Sequence, residues 1–247
     1  MISTKKMSRF KRFIFFVTPL VLFVACGEDY DAPLVYVDDT GGKQYKLYDL
    51  YRDAYGNEGI IAYVESYDDF RYIMALSLDE TIASWGPMGE TIFKGDNDSS
   101  VFYPQFGLAM LQCMISRGIH HFPAQKWCYE RNQDEKYPRT GSWRMPSYVD
   151  IYLMLKGDYA SDIDSLNQYL VQYGGTPLTK TDYDYYWCCE EDYEDYAVMT
   201  GIEQNFDPDN RAVMITMGFR GGADKDFWIK KSKHRVRAVK VIYYVAM

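Results

Sequence analysis

The sequence predicts an α+β fold for a chain of 247 residues. Two β-rich runs come first, helical patterns occupy the middle, and four or five β-rich runs fill the last third. Because strands and helices are segregated along the chain and do not alternate, this order favours an α+β arrangement over a parallel α/β sheet. Hydrophobic residues make up 47% of the chain, which is enough for a sizeable core at this length.

The first two β-rich runs cover residues 59–64 and 72–78. A polar turn at 67–69 separates them, so the two runs are predicted to form a β-hairpin. Glycine and proline interrupt the segment 85–100, which is therefore predicted to be a loop.

The first helix is predicted over 106–116, where apolar residues recur at helical spacing and Gly118 ends the pattern. The residues from 119 to 140 show no regular pattern. An irregular stretch is expected there.

The second helix follows the stretch GSWRMPSYVDIYLML, from Gly141 to Leu155. Pro146 fixes its own φ and favours an extended conformation at Met145, so the chain arrives extended and then turns. Ser147 and Asp150 have the spacing of a capping box, in which each side chain accepts a backbone N–H of the first turn. These features predict a helix over 147–156.

The third helix is predicted over 161–173 and ends before the pair Gly174 and Gly175. The last third of the chain is β-patterned. Its predicted strands cover residues 185–189, 196–200, 212–218, 227–230 and 236–245.

The first 25 residues have the features of a secretory signal. Five Lys and Arg precede an apolar run that ends before Cys26 and is too short to span a bilayer comfortably. The residues before Cys26 resemble a lipobox, which implies acylation of Cys26. An uncleaved N-terminal anchor helix is the alternative. We therefore predict a signal peptide (1–25), an acidic tether (26–42) and one folded domain (43–247).

The acidic tether begins with Gly27-Glu28-Asp29-Tyr30-Asp31, which is similar to the surface-export signal of lipoproteins in Bacteroidetes. This similarity implies an outer-membrane lipoprotein that is exposed on the cell surface. A simple solvated tether is the other interpretation of the acids.

Net charge argues against nucleic acid as a partner. Removal of residues 1–25 takes away five of the 27 Lys and Arg and none of the 35 Asp and Glu, which changes the net charge from −8 to −13. A surface this acidic repels phosphate backbones.

Four cysteines follow Cys26, and an exported protein meets an oxidising compartment. Three connectivities with two disulfides are open. No C-x-x-C spacing occurs, which argues against a zinc site, and no cofactor is predicted. The four cysteines are Cys113, Cys128, Cys188 and Cys189.

Four segments of the chain resemble one family when they are taken together. Residues 143–147 (WRMPS) resemble a WRLPS/T element, 174–178 (GGTPL) a GGTPL turn, 186–190 (YWCCE) a YWSSTE element, and 234–239 (HRVRAV) a YRVRPVR strand. The resemblance is to the Fibrobacter succinogenes major paralogous domain and the related C-terminal domain of the Legionella collagen-like adhesin, over residues 43–243. Cys188 and Cys189 depart from it, because they replace two serines.

This resemblance implies a C-type-lectin-like fold with a mixed or antiparallel sheet, two or three helices, and adjacent N- and C-terminal strands. It implies that Trp143 lies in the core and that Arg144 pairs with an acid or a carbonyl. The residues that carry the fold signature are Trp143, Arg144, Pro146, Trp187, Arg235 and Arg237.

We expect a non-catalytic binding or adhesion module for an unknown glycan or protein ligand, since the fold that the resemblance implies suits binding and the 24 tyrosines offer amphipathic rings. The first alternative is a structural subunit of a fimbrial or outer-membrane assembly. The second is an enzyme, either of the formylglycine-generating type, which uses a copper-binding cysteine pair, or a glycan-active enzyme that uses the acid cluster 190–195.

A calcium site is a further hypothesis. The oxygens of Asp207, Asp209 and Asn210 are of the kind that calcium prefers, although a solvated turn explains the same residues. The calcium-binding motifs Glu-Pro-Asn and Trp-Asn-Asp, typical of sugar-binding lectins, are missing from the sequence.

Overall fold

The computed structural model describes residues 43–66, 70–92, 103–133, 141–156, 161–181, 183–191, 207, 209–216 and 224–245. The signal peptide, Cys26, the acidic tether and the predicted strand 196–200 lie outside these ranges. None of the helices within them has the length and apolarity needed to cross a bilayer.

The described residues form a mixed α+β structure, in which four α-helices separate two groups of strands. The strands are β1 (Leu50–Arg52), β2 (Glu58–Ser66), β3 (Phe70–Ser77), β4 (Thr81–Ser84), β5 (Tyr185–Glu191), β6 (Arg211–Thr216), β7 (Asp224–Ile229), β8 (Lys233–Val236) and β9 (Val239–Val245). The helices are α1 (Tyr103–Ser116), α2 (Pro123–Tyr129), α3 (Tyr148–Lys156) and α4 (Ile163–Gln172). The predicted order of strands, helices and strands is therefore confirmed.

The strands form two sheets. The first has the order β1-β2-β3-β9, and all of its pairs are antiparallel. The second has the order β4-β8-β5-β6-β7 and is mixed, because β5 and β8 pair in parallel at Tyr186 and Arg235. The predicted hairpin is β2 and β3. The C-terminal strand β9 pairs with β3, so β1 and β9 share one sheet but lie at its opposite edges, and the predicted adjacency of the N- and C-terminal strands is wrong in this respect.

Two hydrophobic cores bury both faces of the central strands. In β2, the side chain of Ile61 belongs to the first core, while those of Ile60 and Ala62 belong to the second. The first core also contains residues of α1 and α2, and the second contains residues of α3 and α4. Because neighbouring side chains of a strand point to opposite faces, an unbroken apolar run is what a strand between two cores requires.

The predicted strand 236–245 is wrong in one respect. The chain leaves β8 at Val236 and enters β9 at Val239, and these two strands belong to different sheets. Ala238 lies in the crossing, where its N–H donates to the Ser77 hydroxyl over 3.1 Å and its carbonyl accepts the Ser77 N–H over 2.9 Å. A single β-patterned run therefore crosses from one sheet to the other, and nothing in its pattern marks the crossing.

The stretch from 119 to 140 was expected to be irregular, and its described part is not. It contains α2 between two short 3₁₀ helices, Ile119–His121 and Glu130–Asn132. Pro123 begins α2 at a position where a missing N–H costs nothing. Seven residues are too few for a helical period to stand out, which is why the pattern did not reveal it.

None of the three connectivities proposed for the cysteines forms, because Cys128, Cys188 and Cys189 are buried free thiols. Cys188 faces the second core and Cys189 the first, as neighbours on a strand must. Burial raises the pKa of Cys128 to about 12 and raises the pKa of Cys189 as well. These thiols are therefore protonated at neutral pH and poor nucleophiles.

His234 lies in an aromatic cage and gives the fold a pH dependence. The rings of Tyr185, Trp187 and Trp228 surround it at centroid distances of 5.9, 4.8 and 6.3 Å. Burial lowers the pKa of His234 below its ordinary 6.5. The unfolded chain therefore takes up a proton more readily than the folded one, so this contribution to stability is complete above pH 6.5 and is lost as the pH falls through the folded pKa.

We expect the free energy of unfolding to fall more steeply between pH 7 and pH 5 in the wild-type protein than in His234→Phe. Phenylalanine keeps an aromatic ring in the cage and removes the titrating group. Urea unfolding at the two pH values measures the difference. If the free energy of unfolding changed equally with pH in the two proteins, His234 would not be the source of the pH dependence.

Candidate functional site

Trp143 is fully buried at the start of the WRMPS segment, as predicted. Its indole Nε1 donates to Asp53 Oδ2 over 2.8 Å, and its backbone N–H donates to Asn132 Oδ1 over 2.6 Å. Asn132 also donates from Nδ2 to the Trp143 carbonyl over 2.9 Å. The indole ring packs against Gly59 so closely that a Cβ there would lie 2.9 Å from it.

Arg144 pairs with an acid, as predicted. Its guanidinium donates to both oxygens of Asp150 over 2.6 and 3.1 Å, with both side chains almost completely buried. Burial alone lowers the pKa of Arg144, but Asp150 raises it, and the net shift is upward. A Cβ on Gly107 would collide with this guanidinium, so only glycine fits there.

The predicted capping box at the start of α3 is present. The Ser147 hydroxyl accepts the Asp150 N–H over 3.1 Å, and Asp150 Oδ2 accepts the Ser147 N–H over 2.7 Å. Asp150 therefore caps the helix and neutralises Arg144 with one carboxylate. Pro146, which is also buried, directs the chain into this helix, and its carbonyl accepts the Cys189 N–H over 2.8 Å.

The signature arginines Arg235 and Arg237 converge on Glu80, which follows β3. Arg237 donates to Glu80 Oε2 over 2.8 Å and to the Ser77 and Thr176 carbonyls over 2.8 and 2.7 Å. Arg235 donates to Glu80 Oε1. Burial lowers the pKa of Arg235, and Glu80 outweighs it, so the net shift is upward.

The YWCCE segment, residues 186–190, also lies at this cluster. The Tyr186 hydroxyl donates to Glu80 over 3.0 Å, and burial raises its pKa to about 12. Trp187 is fully buried and donates from Nε1 to the Ala83 carbonyl over 3.0 Å. The elements around 176, 186 and 235–237 therefore meet at one buried carboxylate.

The acid cluster 190–195 has two members within the described residues, and both serve the fold. Glu190 accepts the Tyr148 N–H over 2.7 Å, and Glu191 accepts the Ile92 N–H over 2.8 and 2.9 Å and pairs with buried Lys230. Burial lowers the pKa of Lys230. The geometry therefore gives these two carboxylates structural partners.

The calcium candidates form a turn. Asn210 donates from Nδ2 to both oxygens of Asp207 over 3.0 and 3.2 Å, Gly89 N–H donates to Asn210 Oδ1 over 3.2 Å, and the Thr91 hydroxyl donates to Asp209. Within the described ranges, no group of three or more His, Cys, Asp or Glu side chains is arranged to hold a metal ion.

A groove of about 530 Å³ lies at the surface between the β1–β2 turn, α2 and the end of α4. Its wall carries two aromatic rings, three carboxylates, a guanidinium and a carboxamide. We call it the Trp127 groove. Its lining residues are 56–58, 78–79, Trp127, 130–131 and 173–174.

The flat surface in this groove is built from Trp127 and Arg131. The Arg131 guanidinium lies over the Trp127 ring, 3.7 Å from its centroid. It donates to the Trp127 carbonyl over 2.8 Å and to Asp79 Oδ1 over 2.7 Å. A guanidinium fixed on an indole face makes a rigid plane. Tyr173 adds a second ring, half-buried, at the end of α4.

The groove is connected to the buried Trp143 through a chain of hydrogen bonds. Asp53, which accepts the Trp143 indole, also accepts Nδ2 of Asn57 over 2.9 Å. The same Asn57 Nδ2 donates to the Arg131 carbonyl over 2.7 Å. The fold signature therefore holds two sides of the groove together.

Sequence reasoning did not identify the Trp127 groove. Its residues come from four separate parts of the chain, and α2 lies in a stretch that was expected to be irregular. One local signal existed, because Trp127 and Arg131 have the i,i+4 spacing that places side chains together on a helix.

Comparisons with known proteins give little further information. No protein-family model matches the chain, and no curated protein matches it. Among solved structures, the chain is similar to a fimbrial protein from Bacteroides ovatus with a TM-score of 0.44 and 13% identity, over 68% of this chain and 35% of that one. This chain therefore spans about a third of the length of that protein. A likeness this weak carries no argument about function.

Proposed function

We propose that this chain is a non-catalytic binding or adhesion module whose glycan or protein ligand occupies the Trp127 groove. The observation that supports the proposal is the groove itself. Its volume of about 530 Å³ lies within the range of ligand sites, and its wall combines two aromatic rings with five charged or amide side chains. The side chains of its three carboxylates all have cationic partners within hydrogen-bonding or ion-pairing distance.

The proposal includes the scaffold and the location of the protein. We infer a C-type-lectin-like domain, held by an acylated Cys26 in the outer membrane and exposed on the cell surface. The convergence of the elements around 144, 176, 186 and 237 on the junction between the two sheets supports a common scaffold. The lipobox resemblance supports the anchor.

We expect Tyr173→Ala to weaken ligand binding at least about tenfold, which corresponds to about 1.4 kcal/mol. The variant removes one of the two rings that line the groove, and the lost contact area accounts for this loss. The measurement is binding of the purified protein to arrayed glycans and arrayed cell-surface proteins.

Tyr183→Ala is the matched control, because Tyr183 is 89% exposed and does not line the groove. The control and the wild-type protein should retain the same ligand with the same affinity. A ligand that binds Tyr173→Ala as tightly as the wild-type protein would show that the groove is not the site.

A structural role in a surface assembly is the second candidate. It is favoured by exposed apolar side chains on the outer strands of the second sheet, which are Ile82 on β4 and Trp228 and Ile229 on β7. Edge strands of this kind are natural sites for pairing with another chain. Co-purification of the native protein with stoichiometric partner subunits would support this role over ligand binding. The partners should be lost when Trp228 is replaced by serine.

A further inference from the structure

The carboxylates of the Trp127 groove are already neutralised. Each of the three is within reach of a cation on the groove or its rim, although the chain as a whole carries a net charge of −8. A charged ligand would therefore find no surplus of the opposite charge in this groove. The pairs are Arg52 with Glu58 at 2.8 Å, Arg131 with Asp79 at 2.7 Å, and Lys126 with Glu130 at 3.3 Å.

The groove leaves both acceptors and donors for a ligand. Within the described ranges, Arg131 uses two of its five N–H groups, for the Trp127 carbonyl and for Asp79, and so keeps three. Glu58, Asp79 and Glu130 each use one carboxylate oxygen for the paired cation, and among the described residues the second oxygen has no further protein partner. Asn57 gives both Nδ2 hydrogens to Asp53 and to the Arg131 carbonyl, so its Oδ1 is the atom that remains. A matching ligand must therefore supply several hydrogen-bond donors to these oxygens and at least one acceptor for Arg131.

The flat surfaces of the groove favour a flat face on the ligand as well. The Arg131 guanidinium, 3.7 Å above the centroid of the Trp127 ring, offers one planar surface, and the Tyr173 ring forms another. Rings of this type bury apolar area and leave neighbouring polar groups free to hydrogen-bond.

We propose that the ligand of the Trp127 groove is an uncharged saccharide, an inference that rests on the proposed binding role of the groove. A pyranose has an apolar face of C–H groups and a rim of hydroxyls. The hydroxyls donate to the carboxylate oxygens without adding charge, and the C–H face packs on the Tyr173 ring or on the plane of the Arg131 guanidinium. A basic peptide would also donate to these oxygens, but it would bring positive charge to carboxylates that are already paired.

Salt dependence tests this proposal, because interactions of a neutral ligand are not screened by ions. The purified protein is titrated with neutral oligosaccharides that contain glucose, galactose, mannose or N-acetylglucosamine, with sialylated and sulfated glycans, and with a peptide rich in lysine and arginine. Each titration is run in 50 mM and in 500 mM NaCl. We expect a neutral oligosaccharide to bind with a Kd that changes less than about twofold between the two salt concentrations.

A variant gives an independent check. Asp79→Asn is expected to raise the Kd of the neutral oligosaccharide at least about tenfold, since it weakens the hold on Arg131 and replaces a charged acceptor. Asp164→Asn is the matched control, because Asp164 is also an exposed acid with a basic partner, Lys180, and lies outside the groove.

The outcomes separate this inference from the proposed function. If only sialylated or sulfated glycans or the basic peptide bind, with a Kd that rises more than about tenfold in high salt, the saccharide inference is overturned. In that case the proposed binding role of the groove still holds if Tyr173→Ala abolishes binding of the charged ligand. If none of the neutral oligosaccharides binds, the inference also fails. If no ligand depends on Tyr173, the proposed function fails with it.

Discussion

Replacement of Asp150 by alanine is expected to lower the free energy of unfolding by about 3–5 kcal/mol. Only 1% of the Arg144 side chain is exposed, and Asp150 is the carboxylate that neutralises its guanidinium. Without that carboxylate the charge stays buried and unpaired, because Arg144 cannot lose its proton. The loss of the Ser147 N–H bond at the start of α3 adds to the cost.

Chemical denaturation of the purified protein measures this effect. Asp164→Ala is the matched control, because Asp164 is also an acid in the first turn of a helix, is 72% exposed, and pairs with Lys180 at the surface. Its loss should cost less than about 1 kcal/mol. The double replacement Arg144→Met with Asp150→Leu should recover much of the stability, since it removes both charges. If Asp150→Ala lowered the free energy of unfolding no more than Asp164→Ala does, the stabilising role of the buried pair of Arg144 and Asp150 would be contradicted.

Replacement of Glu80 by alanine is the second change with a large expected effect, again about 3–5 kcal/mol. Arg237 is as deeply buried as Arg144, and Glu80 is its counter-ion at 2.8 Å. The variant also removes the acceptor of the Tyr186 hydroxyl and the nearest acid to Arg235. One carboxylate therefore supports a tyrosine on β5, an arginine on β8 and an arginine in the crossing between β8 and β9.

Glu90→Ala provides the comparison for Glu80→Ala. Glu90 is 63% exposed and lies 3.9 Å from Arg117, so its removal should change the free energy of unfolding by less than about 1 kcal/mol. Thermal and urea unfolding of both variants give the two values. If Glu80→Ala is no less stable than Glu90→Ala, Glu80 does not hold the junction between the sheets.

The sequence was most informative where an interaction joins residues close together in the chain. The capping box needs only Ser147 and Asp150, three residues apart, and both hydrogen bonds are present. The stops of α1 and α4 were equally local, since Gly118 and Gly174 adopt positive φ values of 94° and 78°. Positive φ values favour glycine in any context, so a glycine at this position is enough to predict where the helix ends.

Long-range pairings were not predictable in the same way. Glu80 and Arg237 are separated by 157 residues, and Asp79 and Arg131 by 52. The chain contains 35 acids and 27 bases, so residue type does not specify which acid meets which base. The resemblance implied that Arg144 would find a partner, but only the structure identifies Asp150.

By itself, the sequence determined the α+β order, the hairpin of β2 and β3 and the start of α3, because apolar pattern, proline and capping residues act locally. The resemblance implied the burial of Trp143. Only the tertiary structure decided that the run 236–245 crosses between two sheets and that Trp127 and Arg131 meet Asn57, Asp79 and Tyr173 in one groove. The physical reason is that these contacts depend on how the described sheets and helices pack around the two cores, and no short stretch of sequence contains that geometry.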